Sequence, residues 1–331
     1  MLRALIINGD DLGLTKAVTD GIFQARENGV LTSASLVVNQ SATEYAVQQL
    51  HRYFGLGVGI HLNLCEGRPV LHPRVVPSLV GRDGNFLSPI EIQSRLMSWR
   101  ISRNEVEAEY RAQIKLARSM GVNITHADSH HHVHLFFASV IPFRRALEAE
   151  GIRWIRSCRI HQCPSPRRIG GPHSGSISRR IGALAYMRFL SNGPLRSFQS
   201  PLCRIETSRN TVSSSVDLMV KAWTETFRSL NINGVFELVC HPGVDDPERR
   251  HTDRIHDKRI TELAMLTAPG FRELITRFGI TLTSYGELIS NRSGRFGGQG
   301  EQNDPEMLNN YSGGGFTLFR SPSSPQRSIQ D

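Results

Sequence analysis

Two adjacent carboxylates, Asp10 and Asp11, lie near the amino terminus in the sequence NGDDLG at positions 8–13. One carboxylate of such a pair can bind a metal ion, while its neighbour acts as a general base whose pKa the cation tunes. The dipeptide alone is more typical of a turn, because Asp and Gly are common turn residues. The pair therefore marks a catalytic site only if further ligands converge on it.

Five histidines fall within the nine positions 126–134, in the sequence HADSHHHVH. In an extended chain alternate residues share one face, so we expect a single row formed by His126, Asp128, His130, His132 and His134. Imidazoles beside a carboxylate are typical of metal sites, where the carboxylate orients a ligating histidine. The alternative is a histidine-rich surface loop, which is disfavoured because the cluster ends a strand pattern inside the chain.

Two further histidines end short apolar segments. His61 is the penultimate residue of the run 57–62, and His241 follows Cys240 directly. A single histidine on a buried strand is commonly a hydrogen-bonded core residue, so His61 alone indicates little. His241 could serve as a general acid or merely cap its strand. Cys240 is expected to be a buried small apolar residue and not an activated nucleophile.

The elements that must position these residues alternate between strand and helix. Apolar runs predict strands at 4–8, 33–38, 57–62, 123–128, 154–156, 235–240 and 280–283. Helical patterns fall between them, at 16–28, 43–51, 90–120, 139–150, 216–230 and 258–278. This alternation predicts an α/β fold, an irregular (β/α) barrel of about seven parallel strands. Its active site is expected at the carboxyl ends of the strands, where all the motifs above fall.

Charge and composition divide the chain. The net charge is +9, but residues 151–210 alone hold eleven arginines and one acid, so the rest is close to neutral. No nucleic-acid-binding module is recognisable, and nucleic-acid binding is disfavoured. Irregular composition predicts a basic insertion at 157–210 within a domain spanning 1–290. The Gly-, Ser- and Gln-rich segment 291–331 is predicted to be a disordered tail.

The expected location is the cytoplasm. The amino-terminal apolar run ends at Asn8, too early for a signal-peptide core, and no later segment has the length and hydropathy of a membrane span. The five cysteines contain no C-x-x-C pair, so reduced thiols are expected. We expect no membrane partner, and we leave a homodimer open.

Taken together, these motifs resemble those of the YdjC-like carbohydrate deacetylase family, which includes chitooligosaccharide deacetylases. The resemblance covers roughly residues 1–156 and 234–289. It rests on five stretches of sequence, NGDDLG at 8–13, LTSAS at 31–35, GIH at 59–61, THADSHHHVH at 125–134 and CHPG at 240–243. Gly9 stands where the family commonly has alanine and Leu12 where it commonly has an aromatic residue, and both departures leave the carboxylates intact.

The resemblance implies a (β/α) barrel that hydrolyses the N-acetyl group of a small amino-sugar substrate. It assigns a divalent ion to Asp11, His61 and His130, with Asp10 as the base and His241 as the acid. Strand periodicity adds two candidates for orienting a ligand or contacting substrate, Asp128 and His132. The family is usually described with Mg²⁺, whereas a His/Asp ligand set also suits Zn²⁺ chemically.

Two other functions stay open. One is metal-dependent hydrolysis of a different amide or of a phosphoester. The other is a sugar- or metal-binding regulator without turnover, which the presence of both Asp10 and His241 disfavours because pure binding needs neither. Acetate release from N-acetylated sugars, with and without a chelator, separates the three.

Overall fold

The computed structural model describes residues 3–156, 196–197, 216–229 and 234–296. The strands of these residues are β1 Arg3–Leu12, β2 Ser33–Leu36, β3 Gly57–Leu62, β4 Ala127–Ser129, β5 Trp154–Ile155, β6 Arg196–Ser197, β7 Gly234–Cys240 and β8 Thr281–Leu282. The α-helices are α1 Lys16–Glu27, α2 Thr43–Gln49, α3 Pro89–Met97, α4 Arg103–Ser119, α5 Phe137–Ala149, α6 Val216–Ser229, α7 His256–Thr267, α8 Pro269–Arg277 and α9 Tyr285–Phe296. Short 3-10 helices cover Leu50–Arg52 and His130–Leu135.

The strands form one sheet in the order β6-β5-β4-β3-β2-β1-β7, and β8 pairs with β1. Every strand pair is parallel, because helices connect the strands and return the chain to the same edge. The predicted α/β class with parallel strands is confirmed. Within the described ranges no pairing joins β6 to β7, so the hydrogen-bonded path is open at that point.

The core surrounds β1, whose run Ala4-Leu5-Ile6-Ile7 is buried along its whole length. A parallel strand covered on both faces reads as a continuous apolar run, in contrast to the alternation of a half-exposed strand. The helices add one apolar face each. In α4, Val106, Tyr110 and Ile114 recur at four-residue spacing and are fully buried, and the Tyr110 ring meets Phe143 of α5 edge-on at 5.9 Å.

Residues Met1–Ser290 form one compact unit. Most of the predicted basic insertion, 157–210, lies outside the described residues, which include only the two-residue strand β6 from it. The predicted tail lies outside them from residue 297 onward, while α9 runs past the expected boundary at 290 to Phe296. No helix in the described part of the chain has both the length and the apolar character needed to cross a membrane.

A glycine allows α1 to approach the loop after β7. A Cβ placed on Gly21 would lie 2.3 Å from the Cα of Gly243, closer than any real Cβ contact. The same loop is tied to α1 by the amide of Val244, which donates to the carbonyl of Ala17 at 3.1 Å. Because this loop begins with His241, the packing of Gly21 positions one of the predicted catalytic residues.

We expect Gly21→Ala to destabilise the fold by about 1–3 kcal/mol, the usual cost of overpacking, because backbone atoms of Gly243 cannot move aside cheaply. The measurement is urea-induced unfolding. Gly270→Ala is the matched control: this glycine is exposed in α8 with no atom near its would-be Cβ, so alanine should be neutral or stabilising by about 0.4–1 kcal/mol. Equal unfolding midpoints for the two variants would contradict the packing argument.

Candidate metal centre and active site

A β-bulge in β1 presents both neighbouring carboxylates. Gly9 pairs with Ala34 of β2 and Leu12 pairs with Leu36, so two residues of β1, Asp10 and Asp11, oppose one residue of β2. In a regular strand adjacent side chains point to opposite faces. The bulge and the left-handed backbone of Asp11, with φ of 72°, break this alternation at Asp10 and Asp11. Adjacent carboxylates can therefore serve one site.

Asp11, His61 and His130 come together at the carboxyl ends of β1, β3 and β4, with ligand atoms within 4.8 Å of one another. Asp11 Oδ1 lies 2.9 Å from His130 Nδ1 and 3.4 Å from His61 Nε2. Ligands bound at about 2.0–2.2 Å from one ion lie roughly 3–3.5 Å apart, so this spacing fits a divalent cation. The three side chains predicted as metal ligands are thus buried neighbours.

Each of these histidines has a carboxylate on its second ring nitrogen. His61 Nδ1 lies 2.7 Å from Asp128 Oδ1, and His130 Nε2 lies 3.1 Å from Glu66 Oε2. Carboxylates in this position orient ligating imidazoles. Asp128 was predicted for such a role from periodicity, whereas Glu66 was missed because it lies in a loop after β3 that carries no motif signal of its own.

The charges around Asp11, His61 and His130 favour a positive charge at the centre. Burial disfavours the protonated form of His61, but the charge of Asp128 and the hydrogen bonds to Asp11 and Asp128 together outweigh it and raise the pKa of His61 to about 10. Burial likewise disfavours ionised Asp11, yet the charges of Arg259 and His130 hold its pKa well below the usual value. Asp11 is therefore a carboxylate, the form that a metal ion requires.

Asp128→Asn is expected to weaken divalent-ion affinity by about 10–100-fold, the usual effect of removing a carboxylate that orients a ligating histidine. Equilibrium dialysis of the folded variant measures it. The control is Asp83→Asn, since Asp83 is exposed in a loop and its carboxylate bonds only locally to Asn85. Unchanged affinity in Asp128→Asn would show that His61 is not oriented through this contact.

A buried arginine that the sequence did not single out holds the predicted base. Arg156 follows β5, and its two terminal nitrogens donate to the two carboxylate oxygens of Asp10 at 2.8 and 2.5 Å. The same guanidinium lies 2.5 Å from Asp128 and 2.8 Å from Glu237. Its side chain is only 2% exposed. Arg156 is one of the eleven arginines of residues 151–210, but it ends a predicted strand, as the other site residues do.

Further buried polar groups are linked to Arg156 through Glu237. Glu237 accepts a 2.8 Å hydrogen bond from the hydroxyl of Tyr285, whose ring stacks on His126 at 3.7 Å. Burial raises the pKa of Glu237 above its usual value, although the charge of Arg156 opposes the shift. His126 fills the space that a side chain at Gly59 would occupy, since a Cβ there would lie 2.5 Å from the ring. The glycine of the GIH motif thus makes room for this histidine.

His241 lies beside the predicted base. Its Nε2 is 3.9 Å from Asp10 Oδ2, and its side chain is 24% exposed. The backbone amide of His241 donates to Glu262 Oε2 at 2.6 Å, and the ring Nδ1 lies 3.9 Å from the same oxygen. Burial lowers the pKa of His241, so neutral imidazole is favoured. The ring therefore borders both the base and the exterior.

The histidine cluster does not form the single extended row that we expected. The strand ends at Ser129, and His131 and His132 adopt left-handed backbone conformations with φ of 52° and 54°. The period-two argument is therefore wrong beyond Ser129. Among the described residues, His132 is not part of any group whose ligand atoms are close enough to share a metal ion. Its ring lies 6.4 Å from that of His134.

Two members of the cluster are core residues. His126 and His134 are buried, and burial lowers the pKa of each to about 3. His134 stacks on Phe143 at 4.8 Å and contacts the Ser129 hydroxyl. A neutral imidazole with such partners stabilises the fold. The run of histidines therefore divides between the core and the candidate centre, where His130 lies.

Several buried polar atoms without hydrogen-bond partners belong to residues that lie beside Asp10 and Asp11. Among the described residues, three buried side-chain atoms lack a hydrogen-bond partner: Asn8 Oδ1, His241 Nδ1 and Arg259 Nη1. Asn8 bonds to Asp10, and Arg259 donates to Asp11 at 2.9 Å through its other terminal nitrogen. Buried polar groups in proteins are almost always paired, so their gathering here marks a place for solvent or a ligand.

Comparisons with known proteins agree with this geometry. A carbohydrate deacetylase of Geobacillus stearothermophilus is 31% identical over 291 residues, covering 87% of this chain and 99% of that protein. A carbohydrate deacetylase of Homo sapiens is 28% identical over 324 residues, covering 88% and 92%. A crystal structure from Enterococcus faecalis V583, named as a candidate cellobiose-phosphate cleavage protein, aligns with a TM-score of 0.68 at 26% identity over 87% of this chain and 99% of that one.

The agreement extends to the family level. The sequence model of the family described as YdjC-like protein matches residues 4–277, a span that holds the bulged carboxylates, the histidine cluster and His241. This confirms the resemblance drawn from the motifs. The chain belongs to the YdjC-like protein family.

Proposed function

We propose that the protein is a carbohydrate deacetylase, a metal-dependent hydrolase that removes N-acetyl groups from amino sugars or their oligosaccharides. The observation that carries the proposal is the buried group Asp11, His61 and His130, whose donor atoms have the spacing of metal ligands, directly beside Asp10 and His241. The bacterial and human relatives named carbohydrate deacetylases, each matched over almost its whole length, support this choice of hydrolase.

Asp11, His61 and His130 would hold the divalent ion. When bound, such an ion supplies Lewis-acid polarisation of an amide carbonyl and lowers the pKa of a water molecule. The family resemblance favours Mg²⁺, while two imidazoles among three ligands also suit Zn²⁺. The carboxylates around His61 and the ionised Asp11 make the place favourable for either cation.

The chain's own residues would handle the protons. Arg156 and Asn8 fix the carboxylate of Asp10, which in this proposal accepts a proton from the attacking water. His241 borders Asp10 and is partly exposed, so it can reach the departing amine. Burial lowers the pKa of His241 and favours its neutral form, so the ring first takes up a proton, from Asp10 or from solvent, and then gives that proton to the departing amine.

The decisive experiment measures acetate release from N-acetylated oligosaccharides after reconstitution with Mg²⁺ or Zn²⁺, with and without a chelator. Because the Enterococcus faecalis protein is named for a phosphorylated disaccharide, the panel includes neutral and phosphorylated N-acetylated disaccharides. We expect chelator-sensitive acetate release from at least one of them. Hydrolysis without acetate would favour another amide or a phosphoester, and binding without turnover would favour a regulator.

A further inference from the structure

A second group of ligand-type side chains adjoins the first. Cys65 and His131 lie so close to His130 that one ligand atom from each of the three residues falls within 4.8 Å of the others. The His130 and His131 rings meet at an angle of 63° with centroids 4.3 Å apart. Cys65 is buried and His131 is exposed, so the group extends from the interior to the surface. It differs from the first group because it contains a sulfur ligand and no carboxylate.

Local structure holds Cys65 in place. The side-chain oxygen of Asn63 accepts hydrogen bonds from the amides of Cys65 and Glu66 at 2.9 and 3.1 Å, which fixes the loop after β3. Gln113 of α4 in turn bonds both the amide and the carbonyl of Asn63. A ligand on such a braced loop needs little reorganisation to bind an ion.

Backbone strain positions His131. Its φ of 52° is a left-handed conformation that side chains other than glycine adopt rarely, and the following residue, His132, repeats it. Such strain persists only where the surrounding structure enforces it, and it is concentrated at functional sites. The turn brings the His131 ring against that of His130, beside the Cys65 thiol.

We propose that Cys65 and His131 form, with the shared His130, a second metal site that selects a thiophilic divalent ion. Thiolate and imidazole ligands select soft or borderline ions such as Zn²⁺, whereas Mg²⁺ prefers oxygen ligands. On binding, the Sγ–metal bond forms as the Sγ–H bond breaks and its proton passes to solvent. Because His130 also belongs to the Asp11 and His61 group, occupation of this site inhibits the enzyme.

The test of binding uses Co²⁺, whose bond to a thiolate produces a charge-transfer absorption band in the near ultraviolet. We expect the metal-free full-length protein to develop this band on Co²⁺ titration and Cys65→Ser to lose it. Cys240→Ser is the matched control, because Cys240 is also buried but donates to the carbonyl of Asn8 and, among the described residues, shares no group of close ligand atoms with His131. A band of equal intensity in Cys65→Ser overturns the proposal.

A second variant keeps the test decisive if Cys65→Ser does not fold. His131→Asn retains a residue that tolerates the left-handed backbone but removes the imidazole. We expect this variant to bind Co²⁺ about tenfold more weakly or worse, as measured by titrating the band. This is the usual effect of a change in the residues around a metal site. An unchanged affinity would contradict a role for His131.

The inhibition rests on the proposed deacetylase function, and its test is separate. With Mg²⁺ present in excess, Cd²⁺ should inhibit acetate release by the wild type at about tenfold lower concentration than it inhibits Cys65→Ser. Equal sensitivity overturns the inhibitory role. A thiolate band without any acetate release would uphold the metal site and refute the proposed function, and acetate release without the band would do the reverse.

Discussion

Replacing Asp10 with asparagine is expected to lower kcat by about 10²-fold or more while the protein stays folded and retains its ion. Asparagine keeps the size of the side chain and one oxygen for Arg156, but it cannot take a proton from water. Arg156 still has Asp128 and Glu237 as partners, so its charge stays compensated. Steady-state acetate release and elemental metal analysis on the same preparation measure the two quantities.

Asp11→Asn is the matched control, because it changes the neighbouring carboxylate in the same way. It should lose both the ion and turnover, since Asp11 Oδ1 lies 3.4 Å from His61 Nε2 and 2.9 Å from His130 Nδ1. If instead Asp10→Asn sheds the ion and Asp11→Asn keeps it, the roles of base and ligand must be exchanged.

Arg156→Met is expected to destabilise the protein by about 3–5 kcal/mol, the usual cost of removing one partner from a buried ion pair. The cost falls at the upper end because three carboxylates, those of Asp10, Asp128 and Glu237, face one guanidinium in the interior. Methionine fills a similar volume, so lost charge compensation and not a cavity dominates the change. Urea-induced unfolding gives the free energy.

The control for this prediction is Arg228→Met in α6. The Arg228 side chain is 63% exposed and pairs with Glu225 one turn away on the surface. Replacing it should change the free energy of unfolding by less than about 0.5 kcal/mol. If Arg156→Met unfolded at the same urea concentration as Arg228→Met, the buried network would contribute nothing to stability.

The family resemblance assigned the ligands, but the convergence of their motifs could be predicted from sequence because it depends on a general property of parallel sheets. Residues that end neighbouring parallel strands meet at one edge whatever their separation along the chain. Asp11 follows the apolar run of β1, His61 lies in that of β3 and His130 follows β4, so the three strand ends predict their convergence. The alternation of strands and helices likewise predicted the α/β class.

Long-range polar partners could not be found in this way. Arg156 is 146 residues from Asp10, and its position at the end of a predicted strand does not identify the carboxylates that it contacts. The geometry of the histidine cluster was missed for a different reason. The extended pattern assumes that φ stays negative, and sequence periodicity gives no sign of the left-handed turn at His131 and His132.

The pairing of β1 has a consequence for hydrogen exchange. This strand is bonded to β2, β7 and β8 and is buried from Ala4 to Leu12, so the amides of these residues should exchange only through global opening. The 3-10 turn His130–Leu135 has no strand partner among the described residues and should open at lower free energy. Asp10 and Asp11 would then stay in place while His130 moves. Ion release should therefore follow the opening rate of the turn and not the unfolding rate of the sheet.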